Sequence, residues 1–216
     1  MNLALAAVDH FNRFLGLGPA QVARENLPGE APRALEPEER KRFLRCVERS
    51  GSIRDRAMVM VLLYSGIRVS ECAALDVDDV AISARKGRLE VRHGKGERRR
   101  AIPLNAAARD ALAAWLGERD RLTRPSERAL FVNRSERRIS TRGIGEAIRK
   151  LGAEVGLYVT PHVLRHTCLT MLVRDGSDLV LVAELAGHAR LETTRRYTLP
   201  SERDRQAAVD AIVVEH

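Results

Sequence analysis

The chain has little aromatic content: 4% of its 216 residues, with one Trp, three Tyr and four Phe. Cysteine is equally sparse. Cys46, Cys72 and Cys168 are odd in number, form no CxxC pair, and sit in apolar, helix-patterned surroundings. That argues against a disulfide framework or a cysteine zinc site and for reduced core residues in a reducing compartment. No long apolar run exists either. The longest, AMVMVLLY at 57–64, is far too short to cross a bilayer. The opening segment MNLALAAVDHFNRF lacks a basic lead into an apolar stretch, so no signal peptide is expected. Internal repeats and low-complexity tracts are absent as well. These absences together lead to the expectation of a cytoplasmic protein with no membrane partner.

Positive charge is plentiful. Lys plus Arg number 37 against 29 Asp plus Glu, a net +8. Such a surplus favours a polyanionic partner, most often nucleic acid. Breakers cluster between residues 16 and 37, where Gly16, Gly18 and Gly29 alternate with Pro19, Pro28, Pro32 and Pro37. This divides a helix-patterned segment, 1–15, from a dense region by a linker, 16–35. From there the periodicity predicts helices over 36–50, 53–66 and 69–77. Short strands follow in DDVAIS, GRLEVRH and RRRAIPL. Helices resume at 105–118, 141–154, 160–174, 178–186, 191–198 and 202–214. The fold class is mainly α with a small antiparallel β-sheet (α+β).

Four polar clusters interrupt this pattern. In TPHVLRH, Thr160 suits an N-cap and Pro161 the first helical position, which puts His162 and Arg165 on one face of a helix start. Free N–H groups, an imidazole and a guanidinium make an oxyanion site there. His162 and His166 also stand at i and i+4, a zinc-binding spacing for which His188 is the nearest third ligand. A wall of packed side chains is the third reading, and this stretch alone leaves all three open. In LVAELAGHARLETTRRYT, Gly187 closes a helix in the left-handed conformation, which leaves His188 on a turn. Tyr197 stands among Arg195, Arg196 and Thr198, whereas Tyr64 and Tyr158 lie in apolar, core-like settings. In YSGIRVSECAAL, Arg68 directly follows a buried helix and needs an acidic partner, which Glu71 at i+3 supplies. In RKGRLEVRHGKGERRRAIPL, a glycine-flanked turn puts Lys95 at a hairpin tip. Eight of the sixteen residues 85–100 are Lys or Arg. Arg92, Arg98 and Arg99, together with Arg142, are candidate contacts to a phosphate backbone. A solvated, charged edge strand is the alternative.

In order and type, GIRVSE, the hairpin lysine, HVLRH and GHARLETTRRYT resemble the tyrosine recombinases, or phage-integrase family, over about residues 36–200. The resemblance implies the DNA breaking–rejoining catalytic fold. It implies Arg68 and Arg165 as paired arginines on the scissile phosphate, with Glu71 supporting Arg68. Lys95 is implied as the acid for the leaving oxygen, His162 and His188 as the two histidines, and Tyr197 as nucleophile. It implies site-specific cleavage and rejoining of double-stranded DNA through a 3′-phosphotyrosyl link, with no cofactor, no metal and no ATP. Residues 1–15 resemble the last helix of a DNA-clamping domain otherwise largely absent from this chain, and 36–200 the catalytic domain. The tail, 201–216, resembles a helix that docks on a neighbouring subunit of a tetramer or packs on its own domain. Relaxation of the type IB topoisomerase kind, a non-catalytic DNA-binding regulator and a zinc hydrolase are the alternatives.

Overall fold

The computed structural model describes residues 14–16, 33–92, 99–124, 126–187, 192–195 and 197. The chain divides into two compact units, Met1–Glu30 and Ala31–His216. The second holds the helices and the sheet.

Helix α1 (Pro37–Arg49) opens as its sequence dictates. Pro37 takes the first position, and the Glu39 carboxylate reaches back to the Glu36 amide at 3.1 Å. Beyond its charged first turn, helix α2 (Ile53–Ser65) is apolar on every side, and every residue from Ala57 to Leu63 is buried. A helix of that kind can only be central. Helix α4 (Ala106–Leu122) and helix α6 (Pro161–Arg174) pack against it. Between α2 and the sheet lie α3 (Val69–Ala74) and a 3₁₀ turn, Val77–Asp79. The segment predicted as one helix over 69–77 thus breaks at Leu75. Leu75 is extended, and its carbonyl accepts the Leu130 amide at 2.9 Å, beside an isolated bridge between Asp76 and Ala129. A sheet-like pairing captured the backbone that would have continued the helix.

Strands β1 (Val80–Ile82), β2 (Gly87–Arg92) and β3 (Arg99–Pro103) form an antiparallel sheet in that order. The register pairs Leu89 with Ile102 and Val91 with Arg100. Directly paired residues share a face, so Arg100 lies on the side that carries the buried Leu89, Val91 and Ile102. Helix α4 runs four residues past its expected end. Arg119 is buried against the Ala129 and Glu127 carbonyls, which makes the charged last turn part of the core. Helix α5 (Thr141–Ala153), α7 (Leu179–Ala186) and the short α8 (Glu192–Arg195) complete the described elements. The mainly helical architecture with one small antiparallel sheet agrees with the sequence expectation. Among the described residues no helix is long and apolar enough to cross a membrane. The predicted helix at 202–214 lies outside the described residues.

Candidate active site

Helix α6 begins as its sequence predicts. The Thr160 hydroxyl accepts the Val163 amide at 3.2 Å, and Pro161 holds the first position. This start sets His162 at the surface and Arg165 one turn deeper, only 6% exposed. A buried guanidinium needs acceptors. Arg165 donates through Nη1 to the Gly66 carbonyl and through Nη2 to the Ala186 carbonyl at 2.9 Å. The first acceptor exists because Gly66 ends α2 in the left-handed conformation, φ 63°. A Cβ at Gly66 would meet Leu169 Cδ2 at 3.2 Å and Cys168 Sγ at 3.3 Å on α6, so glycine is required twice over.

Arg68, two residues on, caps α3 and pairs with Glu71 Oε1 at 3.1 Å. Its amide donates to Oε2 at 2.7 Å, and its Nη2 donates to the Gly187 carbonyl at 2.9 Å. Glu71 is 8% exposed, the buried acid that the i+3 spacing implied. A third arginine completes its coordination. Arg100 forks onto the same carboxylate, Nη1 to Oε1 at 3.0 Å and Nη2 to Oε2 at 2.8 Å, while its Nε donates to the Leu185 carbonyl at 3.1 Å. Three arginines from three elements therefore hold three consecutive carbonyls, 185 to 187, at the C-terminus of α7. That terminus is the negative end of the helix dipole, with carbonyls that have no intrahelical partner. Gly187 ends α7 with φ 62°, in the left-handed state the sequence predicted.

Burial alone pushes the Glu71 carboxyl up, but the bonds from Arg100 and from the Arg68 amide outweigh it, and the group lies below the usual carboxylate range. For Arg165, burial and then the neighbouring Arg68 lower the pKa, while the Tyr197 phenol and Glu71 oppose them. Gathered like charges in a half-dry pocket favour an anion.

Tyr197 faces this cluster within the same chain. Its phenol lies 2.9 Å from His166 Nδ1, with ring centroids 5.4 Å apart. The setting differs from expectation. Tyr197 is 7% exposed and packs with Leu169, Val182 and Ala186, not in a polar surround. Its amide donates to the Thr194 carbonyl at 2.9 Å, and this turn after α8 folds the ring inward. Tyr158, expected in a core-like setting, is instead 65% exposed between the buried Leu157 and Val159, since an extended segment sends alternate side chains outward.

A scan against protein-family models matches residues 33–203 to the phage integrase family. The chain belongs to that family. Tyrosine recombinase XerA of Thermococcus kodakarensis is 35% identical over 220 residues, 100% of this chain and 76% of that protein. Tyrosine recombinase XerC of Azotobacter vinelandii is 38% identical over 186 residues, 85% of this chain and 59% of the relative. Among solved structures, a XerA recombinase crystal structure superposes with TM-score 0.75 at 33% identity, covering 96% of this chain and 74% of that one. A XerH site-specific recombinase bound to palindromic difH substrate, a post-cleavage complex, gives TM-score 0.74 at 26% identity over 88% of this chain and 58% of the other.

Within this tyrosine recombinase catalytic domain, Arg68, Glu71, Arg165 and Tyr197 converge, and His162 stands one helical turn from His166 with ring centroids 6.4 Å apart. Lys95, His188 and Arg98 lie outside the described residues. Arg99 is exposed on β3. Arg92 pairs with Asp76 at 3.5 Å and also with Asp79, and Arg142 pairs with Glu146 at 2.7 Å. Two residues escaped the sequence reading as members of the site. Arg100 was legible, because period-two alternation from the core residue Ile102 turns it inward. The spacing of His166 suits a metal ligand, a phosphate contact or a packing residue, and gives no hint of the phenol. Among the described residues no group of three His, Cys, Asp or Glu converges on a metal position.

Proposed function

We propose that the chain is a site-specific DNA recombinase domain that cuts and rejoins strands through a covalent phosphotyrosyl intermediate. The observation that carries this reading is a phenol, Tyr197, close enough to the buried Arg165 to act on its charge, in a cluster where Arg68 shares the same helix terminus. Double-stranded DNA is the partner that suits the net charge of +8 and the basic hairpin.

The chemistry follows from the groups. Arg68 and Arg165 draw the non-bridging oxygens of one phosphodiester to the α7 terminus and stabilise the charge that builds there in the transition state. The Tyr197 oxygen attacks phosphorus, the P–O5′ bond breaks, and the DNA 3′ end is left esterified to the phenol. The phenolic proton passes to an imidazole. His166 already holds the hydroxyl, and His162 adjoins it one turn away. Lys95 protonates the departing 5′-oxygen, and His188 contributes a further hydrogen bond to the phosphate. Reversal by another strand's 5′-hydroxyl reseals DNA without ATP, since the phosphotyrosyl ester conserves the bond. The tail, 201–216, docks on a neighbouring copy to assemble a tetramer on DNA in the cytoplasm, and residues 1–15 end a clamp domain.

The test is a nicked suicide duplex resolved on a denaturing gel with chelator present. Wild type yields a protein–DNA adduct and Tyr197→Phe yields none. An adduct that persists in the variant removes Tyr197 from its role.

A further inference from the structure

We infer that Arg100 is a positioning residue for strand cleavage: it locks Glu71, and through Glu71 it aims Arg68 at the scissile phosphate. The inference rests on the reading of the reaction given above.

Arg100 spends its donors inward. Its two Nη atoms fork onto the Glu71 carboxylate at 3.0 and 2.8 Å, and its Nε reaches the Leu185 carbonyl at 3.1 Å. Its side chain is only 11% exposed, against 39% for Arg68. Of the two described guanidiniums on Glu71, Arg68 is therefore the one presented and Arg100 the one withdrawn. A fork onto both oxygens fixes the plane of the carboxylate, which a single bond does not. Glu71 in that plane receives both the amide and Nη1 of Arg68. The rotamer of Arg68 is thus set by a carboxylate that Arg100 holds, and the sheet is the rigid base. Arg100 pairs with Val91 across β2 and β3, on the core face. The bond to Leu185 ties the same guanidinium to the helix terminus whose next two carbonyls hold Arg165 and Arg68. One side chain therefore registers the sheet, Glu71 and α7 together.

The experiment compares the full chain with Arg100→Gln and Arg100→Lys in single-turnover cleavage of a suicide duplex, alongside DNA affinity as a function of salt. Misplacing a phosphate-gripping group by about 1 Å costs on the order of a hundredfold in rate. Arg100→Gln is expected to cleave ten- to a hundredfold more slowly. Its affinity and salt slope should stay those of wild type, because no phosphate contact is lost. Arg100→Lys keeps the charge and a link to Glu71 but not the fork, and is expected to fall between the two. It serves also if the glutamine variant does not fold.

A pH profile separates positioning from mere stability. Glu71 is faced by Arg68 and Arg100, by Arg165 across the cluster, and by the Cys72 thiol beside it on α3. Removing Arg100 lets the carboxyl rise, so the acidic limb of the cleavage rate moves to higher pH. Wild-type rate and limb in both variants would overturn the inference. So would a rate loss explained by weaker binding with a salt slope smaller by about one, the mark of a direct phosphate contact. If wild type itself forms no adduct, the reaction falls and this inference with it. If wild type reacts and both variants match it, only the inference falls.

Discussion

Glu71→Gln is the most exacting perturbation of the cluster. Among the described residues the native carboxylate accepts bonds from the Arg68 amide at 2.7 Å, Arg68 Nη1 at 3.1 Å, Arg100 Nη1 at 3.0 Å and Arg100 Nη2 at 2.8 Å. An amide keeps one acceptor oxygen and turns an NH₂ towards guanidinium donors. Two of these described bonds are lost, and both arginines lose the anion that offsets them. Removing one partner of a buried ion pair costs about 3–5 kcal/mol. For a unit of this size each kcal/mol lowers Tm by roughly 2–4 °C. The expected fall is therefore on the order of 10 °C by calorimetry at pH 7. The pH sign is fixed as well. Because the folded pKa of Glu71 is depressed, its contribution is present above the unfolded value of about 4.3 and disappears as pH falls through the lower folded value. The gap in Tm between wild type and variant should thus be full at pH 7 and close below about pH 4. Inorganic phosphate should raise the Tm of the variant more than that of wild type, by supplying the missing negative charge. A variant as stable as wild type at neutral pH, or a gap unchanged in acid, would refute the account of the cluster.

Gly66→Ala should cost about 1–3 kcal/mol in urea unfolding, since it combines strained backbone with a clash on α6, whereas Gly51→Ala, also left-handed but in open space, should cost about 1 kcal/mol. Burial pushes the Cys72 and Cys168 thiols up to about 12, so neither should react with a maleimide at pH 7.5 until the protein unfolds, a difference read by mass spectrometry with and without guanidinium.

Most of the fold was legible because local and tertiary preferences coincide. Thr160, Pro161, Gly66 and Gly187 mark helix ends by chemistry that needs no partner element, and each acts where its spacing placed it. Glu71 was legible for a similar reason: i+3 on a helix fixes proximity before any tertiary contact forms. Long-range pairing was not legible. Nothing local announces that Leu75 will be captured by Leu130, or that Arg119 will find two carbonyls beyond its own helix. The inward turn of Tyr197 has the same origin. Its sequence neighbours are cationic, but its spatial neighbours, Leu169 and Val182, come from other helices. Arg100 is the instructive omission, because cation density in the hairpin suggested solvent while alternation pointed to the core.

The three carbonyls closing α7 make one small peptide ledge the common anchor of every described cation in the site. Bringing like charges within reach of one another is costly, and here that electrostatic work is completed while the chain folds. On the proposed reaction, an incoming phosphate meets a socket whose described guanidiniums are already in place.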